Sequence, residues 1–447
     1  MIPQPRGTAG QPPTPFGAGV GRQRATAPAA LTRLVHVVRS VTFGPATGFS
    51  DGVLTVSREE AAGLLANPAL RSTRLSWASP GESIRIVKVL DSVEPRTKGA
   101  GGGGIFPGFV GRARPQGRGE THVLRGAAVV AAGYLPRAQE GIIDMSGPAA
   151  ELSPLGATHN LVVEFEPAAG AAWEDVDDAL RRGLLRLAVR LADAALEAPP
   201  EAVEEVPGGT PRGDGHGDLP RVGVVTNLQT QGSFKDVFLY GRSFGRSLPT
   251  VIDAGDLDDG AVVSGQYGHP GLKNPTYVHQ NHPVVAALRD RHGGDLIFAG
   301  VVLSPEPVDQ GAKELISAHA ARLCAAAGFD AAVVTKEGGG NADADMSLKM
   351  DALEALGIAA VGIFGEMGGA EGTAPPVVVP PERATAMVST GNYDERITLP
   401  AVERALGGER VEFVGEAATA PLELPTAAVY CALSPLGWGR LTCREAA

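Results

Sequence analysis

The residues best suited to chemistry crowd into one stretch, Ser264 to Pro283, which holds three of the nine histidines, three glycines and three prolines. Three neutral imidazoles, His269, His279 and His282, suit zinc, iron or copper. The stretch itself offers no Asp, Glu or Cys to complete such a site. Loop packing and substrate contact are the other readings of these histidines. Tyr267 is a candidate for acid–base or substrate-orienting work. Glu337, in Glu337-Gly338-Gly339-Gly340-Asn341, and Glu366, in Gly365-Glu366-Met367-Gly368-Gly369, could hold a substrate amine; the plainer role for each is stabilising a turn or a helix N-terminus. Gln229, Gln231, Asn274, His282 and Asn341 are candidate substrate contacts.

The elements that must position these residues are legible around them. The stretch lacks a helical or strand period, so it reads as a long loop, and such loops in compact domains are functional or disordered. It follows the apolar run Gly260 to Val263 and precedes a helix start at Pro283, with Val284, Val285 and Leu288 behind it. Apolar strands are expected over 221–226, 261–263, 296–303, 331–335, 359–364 and 386–389, and helices over 312–327, 344–356 and 399–406. Continuous apolar strands alternating with helices imply a parallel sheet covered on both faces. Ligands then sit outside the carboxyl ends of the strands. Gln229, Glu337, Glu366 and Thr390-Gly391-Asn392 all follow strand ends, which predicts one shared crevice.

The first half has a different rhythm. Strands are expected over 35–41, 52–56, 83–90, 122–130 and 160–165, and a helix begins at Ser57 with a Ser-x-x-Glu capping box. Val176, Leu180, Leu184, Leu187 and Leu191 give an amphipathic helix over 173–196. The glycine run 99–104 could cradle phosphate, but no Lys-Ser/Thr follows and a plain connecting loop is expected. Glu140 and Asp144 could form an acid–base pair or bond turn amides. The fold class is α/β: a mixed α+β N-terminal half and a C-terminal half with a mostly parallel, Rossmann-like sheet. The expected division is a disordered leader (1–32), an N-terminal domain (33–197), a linker rich in Pro, Gly and Glu (198–220) and a C-terminal domain carrying the loop (221–447).

Composition narrows the function. A net charge of −11, a pI near 5.4 and no basic stripe argue against nucleic acid and against an anionic membrane surface. No apolar run reaches the length of a membrane span, and the first residues lack the apolar core of a secretory signal. Cys324, Cys431 and Cys443 are few and scattered, so a reducing cytoplasm is expected. Cys324 falls in a helical apolar pattern and reads as core.

Several strings, in order along nearly the whole chain from Val38, resemble the component B precursor of glycine, sarcosine and betaine reductases and, more distantly, the D-proline reductase precursor. They are Asp51 to Val56, Pro80 to Ser83, Gly104 to Gly108, Glu140 to Pro148, Leu228 to Gly232, Lys273 to His279 and Glu337 to Asn341. The resemblance implies a subunit that joins a selenocysteine- or cysteine-containing partner and reductively cleaves a carbon–nitrogen bond in a small amine. It also implies a precursor that splits before a cysteine, which becomes a pyruvoyl group. The matching position here is Tyr267, preceded by Gln266; a second family cysteine falls near Gly271, and His282 stands where the family has Asn.

That departure decides the expectation. Self-cleavage needs a short nucleophile that reaches the preceding carbonyl, then a β-leaving group. A phenol offers neither, so no pyruvoyl is expected at Tyr267 and the chain is expected to stay whole. Ser264 and Thr276 are the nearby hydroxyls with suitable chemistry, and neither matches the family position. Tyr267 is then either a reacting group or an aromatic plug filling the space of the lost cofactor. Three functions follow: an unprocessed homologue acting in a hetero-oligomer on a small amino-acid-derived substrate; a non-catalytic subunit that shapes a partner's site; or a metal-dependent enzyme using the histidine loop.

Overall fold

The structure, a computed structural model, describes residues 31–102, 104–207, 218–230, 236–265, 267–384 and 386–437, and the backbone of 442–443. Residues 1–30 of the leader, 208–217 of the expected linker, Gln231 and Gln266 lie outside it.

Strands β1 (Leu31–Val37), β2 (Ser40–Gly44), β3 (Gly48–Ser50) and β4 (Val53–Ser57) lead into helix α1 (Arg58–Leu65). The Ser57 side chain accepts from the Glu60 amide, the N-cap that its position predicts. Then come β5 (Leu70–Ala78), β6 (Ile84–Ile86), β7 (Val89–Val93), β8 (Arg96–Lys98), β9 (Gly119–Arg125), β10 (Ala127–Ala132) and β11 (Ile143–Asp144). Helix α2 (Pro148–Leu152), β12 (His159–Pro167), α3 (Trp173–Asp193) and β13 (Ala202–Val206) complete this half. Two four-stranded sheets form, in the orders β13-β1-β9-β8 and β5-β12-β10-β7. The Val176, Leu180, Leu184, Leu187 and Leu191 stripe of α3 is buried in one core with Val129, Leu161 and Val163. The single strand expected over 122–130 is two strands in different sheets. Gly126 at φ 88° turns the chain between them, a conformation that glycine adopts without strain. β13 lies inside the stretch that composition marks as linker and pairs antiparallel with β1. The glycine run joins β8 to β9, which pair antiparallel.

The second half begins with β14 (Arg221–Gln229), β15 (Phe238–Leu239), β16 (Arg242–Ser243), β17 (Thr250–Ile252), α4 (Ala254–Asp258) and β18 (Val262–Val263). The loop stretch is not structureless. It contains a 3-10 turn over Pro270–Leu272 and helix α5 (Thr276–Gln280), and α6 (Pro283–Asp290) starts where Pro283 predicts. β19 (Ile297–Glu306), α7 (Gln310–Ala327), β20 (Ala331–Thr335), α8 (Asn341–Glu354), β21 (Ala359–Glu366) and β22 (Ala386–Asn392) follow. The chain then runs through β23 (Arg396–Leu399), β24 (Arg404–Leu406), β25 (Arg410–Val411), β26 (Glu416–Ala417), β27 (Leu422–Pro425) and β28 (Thr442–Cys443).

A seven-stranded sheet has the order β17-β19-β14-β20-β21-β22-β28; the five central strands are parallel and both edges antiparallel. This is the mixed α/β class with a mostly parallel sheet that the sequence implies. One expectation fails. Residues 399–406 form no helix: Leu399 ends β23, paired with Leu422, and Arg404–Leu406 is β24, parallel to β6 of the first half. The spacing of Leu399, Val402 and Leu406 mimics a helical stripe, but long-range pairing satisfies the backbone instead. Pro400 also disfavours the helical region for the residue before it. A second core joins Ile84 and Val130 to Tyr277, Leu406 and Tyr430, so the two halves share buried surface.

Candidate active site

The strand order of the seven-stranded sheet changes direction at β14. β14 is central; the next parallel strand, β19, adds on one side and β20 on the other. Such a switch point leaves the carboxyl ends of the two flanking strands open to a ligand. Glu337 sits just past β20 and is fully buried. Its carboxylate accepts from the Gln229 amide and from the Asn274 amide, each at 3.2 Å, and its own amide donates to Glu306 at 3.2 Å. Asn274 Nδ2 donates to the Lys336 carbonyl at 3.3 Å, and Ser434 donates to Asn274 Oδ1 at 2.7 Å. Gln229, Asn274 and Glu337, singled out from the sequence, therefore meet.

Lys273 joins this group to the loop. Its ammonium is 3.8 Å from Glu337, donates to Ser264 Oγ, and stands 5.6 Å from the centre of the Tyr267 ring. Burial lowers its pKa, with the carboxylates of Glu337 and Asp91 opposing. Burial raises Glu337 and Asp91, and the Lys273 charge opposes in both cases. Thr276 donates to Asp91 at 2.7 Å and its amide donates to the other oxygen at 3.0 Å; Thr276 also accepts from the Ser264 amide at 3.0 Å. A buried lysine and two buried carboxylates with perturbed pKa values mark this group as a candidate site.

Tyr267 is 5% exposed and packs into the first-half core with Val263. Its hydroxyl donates to Asp177 of α3 at 2.6 Å, and Asp177 also pairs with Arg181 one turn on. Burial, and then the Asp177 charge, raise the phenol well above its ordinary pKa, so it is a donor and not a phenolate. The loop is pinned by two close approaches. A Cβ on Gly265 would come within 2.2 Å of the Asp236 carbonyl oxygen, and one on Gly271 within 2.8 Å of Ala427.

The three histidines do not converge. His282 caps α6: its Nδ1 accepts from the Val285 amide at 3.4 Å, and its Nε2 meets Thr226 Oγ1 at 2.9 Å. With Nδ1 accepting, Nε2 carries the proton in the assigned tautomer. Burial pushes the His282 pKa down to about 3. His279 is also fully buried, and burial, then the charges of His282 and Lys273, hold it well below the ordinary range. His269 is half-buried in a left-handed conformation (φ 50°), its ring 6.1 Å from that of Tyr393. Among the described residues no three or more His, Cys, Asp or Glu side chains are grouped to hold a metal ion. Glu366 is buried at the end of β21, two strands from β14 and opposite Asn392 in register. Asn341 opens α8 at the surface. Glu140 and Asp144 take separate partners: Asp144 pairs with buried Arg85 at 2.7 Å, and Glu140 accepts from the Phe413 amide at 3.3 Å. Asp91, Asp177, Arg181 and Glu306 were not singled out. Asp91, an acid inside the apolar strand β7, was the available signal.

The family model described as glycine/sarcosine/betaine reductase component B subunits matches residues 31–444. The glycine reductase complex component B subunits alpha and beta of Peptoclostridium acidaminophilum are 36% identical over 91% of this chain and 97% of the relative. The sarcosine reductase complex component B subunit alpha of that organism is 34% identical over 83% of this chain and 87% of the relative. Its betaine reductase complex component B subunit alpha is 30% identical, covering 91% and 98%. No solved structure matches. No helix among the described residues is long and apolar enough to cross a membrane.

Proposed function

The chain belongs to the family of glycine, sarcosine and betaine reductase component B subunits, and from that premise we propose that it acts as an unprocessed homologue of the precursor. In this reading it works in the cytoplasm, in a hetero-oligomer with a selenocysteine- or cysteine-bearing partner, on a small amino-acid-derived substrate. The reaction is reductive: a carbon–nitrogen bond breaks, the amine leaves, and a dithiol or its selenium equivalent supplies two electrons.

Tyr267 carries the reading. It stands where the resemblance places the cysteine that becomes a pyruvoyl, and its hydroxyl is held by Asp177. A phenol has no β-heteroatom to eliminate, so the residue does not fit that group and no step runs through it. Of the nearby hydroxyls, Ser264 accepts from the Lys273 ammonium and Thr276 donates to Asp91. The chain's own residues supply positioning and proton transfer instead: Glu337 and Asn274 orient, and Lys273 with Glu337 holds or moves a proton beside the loop.

The burial of this group favours a second reading. Lys273, Asn274 and Glu337 are each 1% exposed or less, which suits a subunit that shapes a partner's site without reacting. Reconstitution separates the two. Partner, dithiol and substrate are assayed for released amine with wild-type chain, with Lys273→Met and without the chain. The catalytic reading expects turnover only with wild type; equal turnover with Lys273→Met would leave the shaping role, and equal turnover without the chain would remove both.

A further inference from the structure

A cavity of about 440 Å³ opens beside the loop. Leu90, Leu135, Ala138, Pro270, Ala427 and Ala428 give it an apolar floor. The rings of Tyr134, Tyr393 and Phe413 line it, with Tyr134 60% and Phe413 61% exposed. The cavity shares its wall with the loop. Pro270 belongs to both, and Gln139 on that wall donates its amide to the Tyr267 carbonyl at 2.8 Å and accepts from the His269 amide.

Its charges are few and unequal. Lys88 on the wall pairs with Glu412 at 3.1 Å. Glu140 remains. It is half-buried on the cavity wall, and its carboxylate accepts from the Phe413 amide at 3.3 Å. The wall therefore carries one more negative than positive side chain, with a carboxylate beside three aromatic rings, a combination that attracts a cation. Its volume falls in the range of about 300–1,000 Å³ typical of small-molecule pockets, more than an unsubstituted amino acid needs.

We propose that this cavity binds a cationic amine bearing an apolar substituent of about aromatic-ring size, with its charge at Glu140 and its apolar body on the Leu90–Leu135–Pro270 floor. The assignment rests on the reading that the Tyr267 loop is the reacting centre, because Pro270 of that loop lines the cavity and Gln139 beside it bonds the Tyr267 carbonyl. It makes the substrate of this chain bulkier than the amines named for its relatives.

The test is calorimetric titration of the full chain with phenethylamine, with phenethyl alcohol and with sarcosine. The amine is expected to bind at least about tenfold tighter than the neutral alcohol and than sarcosine. Glu140→Gln is expected to bring the amine down to the level of the alcohol. Phe413→Ala, at an exposed position, is expected to weaken the amine about threefold or more. Equal binding of amine and alcohol, sarcosine binding as tightly as the amine, no binding at all, or full affinity in Phe413→Ala would overturn the assignment. The readout needs no partner and no turnover. Absent binding on an intact chain sinks the pocket and leaves the reductase reading standing; a chain found split sinks that reading and leaves the pocket measurement valid.

Discussion

Tyr267→Phe tests whether the phenol is held in place or free to react. The substitution removes one oxygen and leaves the ring, so it opens no sizeable void. What it deletes is a 2.6 Å donor to Asp177, in a pair whose members are 5% and 7% exposed. Asp177 keeps Arg181 but loses its second donor. A hydrogen bond to a charged group contributes about 1.5–3 kcal/mol, so the expected loss is about 2 kcal/mol. Urea unfolding at neutral pH measures it as a lower midpoint at unchanged slope. Tyr134→Phe, on a residue 60% exposed, is the control and should fall within about 0.5 kcal/mol of wild type. If Tyr267→Phe lies as close to wild type as that control, the hydroxyl is not anchored at Asp177.

Other outcomes follow from the same geometry. His282 is neutral in the fold, its pKa about 3 against an ordinary 6.5, so its contribution is present above 6.5 and is lost as pH falls toward 3. Between pH 6.5 and 5 that is about 2 kcal/mol at about 1.4 kcal/mol per unit; His282→Asn should reduce the stability lost from pH 7 to 5 by this amount, and an unchanged pH profile would refute it. Arg85 is fully buried, bonds both Asp144 oxygens at 2.7 and 2.9 Å and also donates to the carbonyls of Pro400, Ala418 and Ala420. Arg85→Ala should therefore cost about 3–5 kcal/mol by stranding a buried carboxylate; a loss under about 1 kcal/mol in urea unfolding would contradict the pairing. Burial pushes the Cys324 thiol up to about 12 and Cys431 well above its ordinary value, so a disulfide reagent should label neither until urea is added, as read by peptide mass mapping. Native labelling of Cys431 would refute its burial.

Much of the scaffold can be read from local pattern because local physics sets it. Ser57 caps the helix it precedes, the α3 leucines recur at helical spacing, and the apolar runs of β14, β20 and β21 have room only inside a covered sheet. The strand-end rule brings Gln229 and Glu337 together, and Asn274 joins them from the loop. What escapes depends on partners far along the chain. Leu399 to Leu406 looks helical until β6 and β27 pair with it. Asp177 looks like an exposed acid on an amphipathic helix until Tyr267, ninety positions on, donates to it. The histidines are close in sequence, yet the turn at Pro270–Leu272 and helices α5 and α6 leave no three-ligand cluster among the described residues.

The most direct measurement is the intact mass of the purified chain before and after a hydrazide probe. The account predicts one species at 45.8 kDa, the mass of the full chain, unchanged by the probe. Two fragments divided near residue 266, one of them gaining the hydrazide adduct, would contradict it.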